Sequence, residues 1–188
     1  MVKVTVPATS ANLGPGFDCL GIALSCYATL CAEATPGEIS IAGCPAEYCG
    51  PDNLAWRAFE LARKTFNLPG GARLRLTSDI PVARGMGSSA ALTVAGLCAA
   101  WSLYRDGLPL PELLVLATQL EGHPDNAAPA LMGGLQSALV DAQGVHTVSH
   151  PMHASFHLMA LVPPFELATK EARAALPATI TRADAVFN

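Results

Sequence analysis

Three short stretches of this chain concentrate residues that can do chemistry. The first is Arg84-Gly85-Met86-Gly87-Ser88-Ser89-Ala90-Ala91, a run of small residues between an extended segment ending at Pro81 and an apolar helical run. Glycine removes the Cβ that would hold a ligand off the backbone, and a helix start offers unpaired N–H groups at the positive end of its dipole. The stretch reads as a cradle for phosphate oxygens. No Lys follows the glycines, and Ala90 stands where GxGxxG needs its third glycine, so it is neither a P-loop nor a dinucleotide turn. A tight strand-to-helix turn would account for the same small residues.

The second stretch, Glu121-Gly122-His123-Pro124-Asp125-Asn126-Ala127-Ala128-Pro129, puts four functional side chains into six residues where one helix ends and a short one begins. Capping by Asp125 or Asn126 is its plain alternative. The third is His146, His150, His153 and His157, spaced 4, 3 and 4. On a helix that spacing gathers metal ligands. Pro151 breaks such a helix and no Cys or carboxylate joins the cluster, so the run reads as a linker between domains.

The elements that must position these stretches follow from periodicity. Residues 2–6 alternate as a half-buried strand closed by Pro7, and Ala8 to Asp18 is a polar loop with turn residues at Asn12, Gly14, Pro15 and Gly16. Cys19 to Glu33 predicts one long or two bent strands, and Gly37 to Ala42 a short one, giving an antiparallel meander. Asp52 or Asn53 can cap a helix with apolar positions Leu54, Ala58, Leu61, Ala62 and Thr65, and with Glu60 and Lys64 in the favourable i,i+4 order. Ala72 to Ser78 alternates as the strand that delivers the chain to the cradle. Beyond the apolar helix, Pro111 to Leu120 predicts another helix, 134–140 and 144–149 a hairpin, Phe156 to Val162 a buried strand, and Thr169 to Arg173 a helix. The pattern is α+β rather than repeated βαβ.

Composition narrows the function. With 188 residues and 51% hydrophobic content the chain can bury one core, and its 14% charged residues are few beside the ~25% of an average globular chain. Net charge is −4 with the eleven Lys and Arg scattered, which argues against nucleic acid. Gly85 to Tyr104 carries no charge over twenty residues, but its Ala- and Gly-rich middle and the lack of a flanking cluster of positive charge fit a buried helix and no membrane. Six cysteines without a CxxC, mostly in apolar segments, read as small hydrophobes of a reduced, cytoplasmic protein.

Pro7 to Asp18, Pro81-Val82-Ala83-Arg84-Gly85-Met86-Gly87-Ser88-Ser89-Ala90-Ala91 and Glu121 to Asn126 together resemble the homoserine kinases of the GHMP small-molecule kinase superfamily. Thr169 to Pro177 is similar to a segment early in that family's second domain. The resemblance implies a two-layer domain of mostly antiparallel sheet packed with helices over 1–152, and the beginning of a second α+β domain over 153–188. It implies ATP on residues 81–91, Mg²⁺ beside Ser88 and Glu121, and L-homoserine bound by Asn12, Asp18, His123 and Arg173, with Asn126, Asp125 and Arg173 as the catalytic set. An ammonium needs a carboxylate, which Asp18 or Asp125 supplies, and a carboxylate needs a planar cationic fork, which Arg173 supplies. An amide such as Asn126 cannot take a proton at neutral pH, so no side-chain base is expected.

Family members are longer, and their third, glycine-rich motif is missing here. Two other readings therefore stand beside the first: another GHMP kinase acting on a sugar or isoprenoid alcohol, or a nucleotide-binding fragment without activity. Phe156, Leu158, Met159, Leu161, Val162, Phe165, Leu167, Leu176 and Phe187 have few covering partners, which predicts packing against the first domain or against a second copy in a homodimer.

Overall fold

The computed structural model describes residues 1–165, 169–177 and 179–187. Its centre is a 20-residue strand, β2 (Gly16–Thr35), antiparallel to β1 (Val2–Asn12) over most of its length. β1 runs straight through Pro7. Proline lacks the ladder donor, and a register shift between Pro7 and Ala8 absorbs the defect, so the expected loop shrinks to a turn at residues 13–15.

β3 (Ser40–Ala42) lies parallel to β4 (Gly71–Ser78), which is antiparallel to β2 through Ala28–Thr35. β5 (Leu135–Asp141) meets β2 at Leu20–Ile22 and forms a hairpin with β6 (Gly144–His150). The sheet order is β3-β4-β2-β5-β6, with β1 on β2, so the expected meander through β3 does not form: β3 pairs with β4 in parallel and not with β2.

One helical layer covers this sheet. α1 (Leu54–Thr65) is capped by Asn53, whose Oδ1 accepts the Ala55 N–H at 2.9 Å. Its buried stripe is Ala55, Ala58, Phe59 and Ala62, one residue round from the expected one, and Thr65 is exposed. Glu60 pairs with Arg63 through two hydrogen bonds as well as with Lys64, and the Arg63 bonds chiefly hold its carboxyl down to about 2. α2 (Ser88–Tyr104) is the uncharged run, lying against β1 and β2 and buried from Ala90 to Ala100 apart from Leu92. Among the described residues no helix is long and apolar enough to cross a membrane. α3 (Leu110–Glu121) and α4 (Ala127–Met132) complete the layer.

The histidine run does not gather: His146 bonds Asp141 and His150 bonds Ser137 within the β5–β6 hairpin, and His153 bonds Ser155 beyond it. Residues 151–165 form no strand, contrary to expectation. An extended segment becomes a strand only where a neighbouring strand pairs with it, and among the described residues no strand pairs there; the Phe156 N–H turns back to the His153 carbonyl at 3.0 Å instead. Phe156, Leu158, Met159 and Leu161 are exposed rather than buried, and Leu167 lies outside the described residues. Two short helices follow, α5 (Thr169–Ala174) and α6 (Arg182–Phe187).

Candidate active site

The stretch 81–91 forms an irregular turn that ends on α2. Gly87, with φ +61, is the residue from which the helix starts, and Gly85 has φ +71. A Cβ on Gly87 would lie 1.9 Å from Thr9 Oγ1 and 3.0 Å from Asn126 Oδ1, so only glycine fits between β1 and α4. The Thr9 N–H donates to the Met86 carbonyl at 3.1 Å and ties the turn to the sheet. Around Gly85 there is open space, which leaves its backbone accessible. Ala90 and Ala91 are fully buried and reach this region through their backbone only, whereas Val82 is exposed. The first N–H groups of α2 have no partner within the helix, and no side chain caps it. This is a fit for phosphate oxygens.

Glu121 closes α3 beside the first turns of α2. Ser89 Oγ and Thr93 Oγ1 both donate to its Oε1 at 2.8 Å, which fixes the carboxylate. Ser89, not Ser88, is thus the cradle serine that touches Glu121. A carboxylate beside hydroxyls is a hard oxygen donor set, suited to Mg²⁺ with phosphate oxygens and water.

A second group faces the same region from the start of β2. Asp18 follows the turn after β1, and its N–H donates to Asn12 Oδ1 at 3.0 Å. One ligand atom from each of Asp18, His123 and Asp125 falls within 4.8 Å of the others. Arg173 on α5 reaches Asp18 with both terminal guanidinium nitrogens, one at 3.0 Å, and its Cζ lies 5.2 Å from the centre of the Phe17 ring. Asp125 is buried and accepts from His123 Nδ1 and from the Asn126 N–H. Gly21 makes room for this: a Cβ there would lie 1.7 Å from the Asp125 carbonyl. Thr9, fully buried, donates through Oγ1 to Asn126 Oδ1 at 2.7 Å. The Thr9–Asn126 pair therefore joins the charged group to the glycine turn.

Residues 53–134 match the GHMP kinases N terminal domain. Over its whole length the chain is 42% identical to a homoserine kinase of Clostridium botulinum, strain Loch Maree / Type A3, and 43% identical to one of Desulfitobacterium hafniense. The chain is thus similar to GHMP kinases along its whole length. It spans 64% and 65% of the length of those two relatives. The crystal structure of a homoserine kinase from Cytophaga hutchinsonii superposes with a TM-score of 0.79 at 29% identity, covering 98% of this chain and 62% of that one. A mevalonate kinase of Methanococcus jannaschii, at 16% identity and a TM-score of 0.62 over 79% of this chain and 56% of that one, shares the fold.

Within this GHMP kinase fold, the residues that sequence reasoning did not single out are Thr9, Thr93, Phe17 and Gly21. Thr9 and Thr93 are buried hydroxyls that need an acceptor, and burial is what the sequence does not display. The Asp125 bond raises the pKa of His123, against the opposing effect of burial. His123 is thereby biased toward the imidazolium, which balances its carboxylate neighbours.

Proposed function

We propose that this chain takes part in transferring the γ-phosphoryl group of ATP to the side-chain hydroxyl of L-homoserine, giving O-phospho-L-homoserine. The observation that carries the reading is the Asp18–Arg173 pair standing beside His123, Asp125 and Asn126, next to the glycine turn. A free amino acid is a zwitterion. Its ammonium would take Asp18 and its carboxylate the Arg173 fork, so the existing pair is exchanged for two new ones with no unbalanced charge. The identity to homoserine kinases along the whole chain supports the same assignment.

ATP would supply the phosphoryl group and Mg²⁺ would offset its charge. The backbone of residues 85–89 would hold the phosphates, and Glu121 would hold the metal with Ser88 or Ser89. Asn126, fixed by Thr9, would orient the acceptor hydroxyl, and as an amide it does not act as a base. Self-association belongs to the same reading, because Phe156, Leu158, Met159, Leu161 and Phe165 are 56–91% exposed.

ADP release measured with L-homoserine, mevalonate and free sugars tests the proposal. Turnover confined to homoserine is expected. Equal turnover of uncharged alcohols would favour another GHMP kinase, and ATP binding without any turnover would favour the inactive-fragment reading.

A further inference from the structure

The loop between β3 and α1 holds two cysteines that the candidate site does not use. Gly43 opens it with φ +89, and a Cβ there would lie 2.2 Å from the Leu76 carbonyl, so the loop leaves hard against β4. Cys44 and Cys49 then bracket a single 3-10 turn, Ala46–Tyr48. Their sulfurs lie 3.2 Å apart, and the Cys49 thiol also reaches the Cys44 carbonyl at 3.2 Å. Asn53, which caps α1, donates through Nδ2 to the Tyr48 carbonyl at 3.0 Å and stands 3.8 Å from Cys44 Sγ. The sheet thus fixes one end of the pair and the helix cap the other. Cys49 is exposed and Cys44 half-buried. The apolar-filler reading of the cysteines holds for the buried Cys98 and in part for Cys44, which packs against the core, but not for exposed Cys49.

We propose that Cys44 and Cys49 are a reversible dithiol–disulfide site, oxidised by low-molecular-weight disulfides of the glutathione type. The Cys49 thiolate attacks one sulfur of the reagent, whose S–S bond breaks and releases one thiol. Cys44 then attacks the Cys49 sulfur of the mixed disulfide, expels the second thiol and closes the protein S–S bond. Two protein thiols are oxidised, one reagent disulfide is reduced to two thiols, and the protein's two protons end on them. Burial, and next the hydrogen bond with Cys49, pushes the Cys44 thiol up to about 11. That assigns the first attack to exposed Cys49 and the intramolecular one to Cys44. Among the described residues no other two thiols are in contact.

The test treats the reduced chain with oxidised glutathione, alkylates the remaining thiols and maps the peptides. The expected product carries a Cys44–Cys49 link, about 2 Da lighter than the dithiol, with the other four cysteines of the six alkylated and full reversal by dithiothreitol. Cys44→Ser should trap glutathione on Cys49, while Cys49→Ser should take it up at Cys44 at least about tenfold more slowly. Repeating the reaction in urea separates positioning by the fold from mere nearness in sequence. Native closure should be at least about tenfold faster. A stable glutathione adduct on wild-type Cys49, links to other cysteines, or equal native and unfolded rates would each overturn the proposal.

Discussion

Thr9 Oγ1 is fully buried and gives its hydrogen to Asn126 Oδ1, so each group satisfies the other. Thr9→Val keeps the shape and deletes the donor. The expected cost is about 1–3 kcal/mol in urea unfolding, with a fall in turnover if Asn126 orients the acceptor. Unchanged stability would mean that water replaces the hydroxyl. Arg173→Lys keeps the charge but loses the planar fork, and should raise KM for homoserine about 10–100-fold with a smaller effect on kcat. His123 offers a pH readout. Its folded pKa lies above the unfolded value, so its contribution to stability is fully present below pH ~6.5 and is lost as pH rises through the folded pKa. Unfolding free energy should therefore decline across that window in the wild type, and Asp125→Asn should flatten the decline. His123, Asp125 and Asn126 were legible as polar residues crowded into a few positions, and Asp18 and Arg173 through the family resemblance. Thr9 was not, because Ala8 to Asp18 reads as a polar loop, in which one threonine stands out no more than its neighbours.

Elements explain where periodicity was enough and where it was not. For α1 the strict stripe 55, 58, 59 and 62 carries the packing, with Phe59 its largest buried side chain. Phe59→Ala should cost about 3–5 kcal/mol, while Thr65→Ala should be near neutral, as urea midpoints would show. Both apolar sets of α1 have helical spacing, and only contact with α2 decides between them. β1 misled for a different reason. Proline commonly ends a strand, yet a shift of register lets the ladder resume, and that depends on β2 rather than on β1 itself. The Phe156 to Val162 run has strand composition but no neighbour among the described residues, so its pattern had nothing to act on.

At the scale of the whole molecule, the apolar side chains of 156–165 predict concentration-dependent association. Sedimentation at micromolar concentration should show a species larger than one chain, and substituting Met159 and Leu161 by Ser should reduce it. A monomer at every concentration would remove the basis for a dimer.

The Thr9–Asn126 hydrogen bond spans 117 residues of chain and the Arg173–Asp18 pair 155. The β1–β2 ladder, by contrast, joins partners as close as Asn12 and Gly16. Loop-closure entropy makes short connections form before long ones, so the hairpin is expected to assemble early and the charged group late. Substitutions at Asp18 or Asn126 should then speed unfolding while leaving the refolding rate almost unchanged. In stopped-flow chevrons their effect would fall on the unfolding arm, and amide protons of β2 would stay protected after the site has come apart.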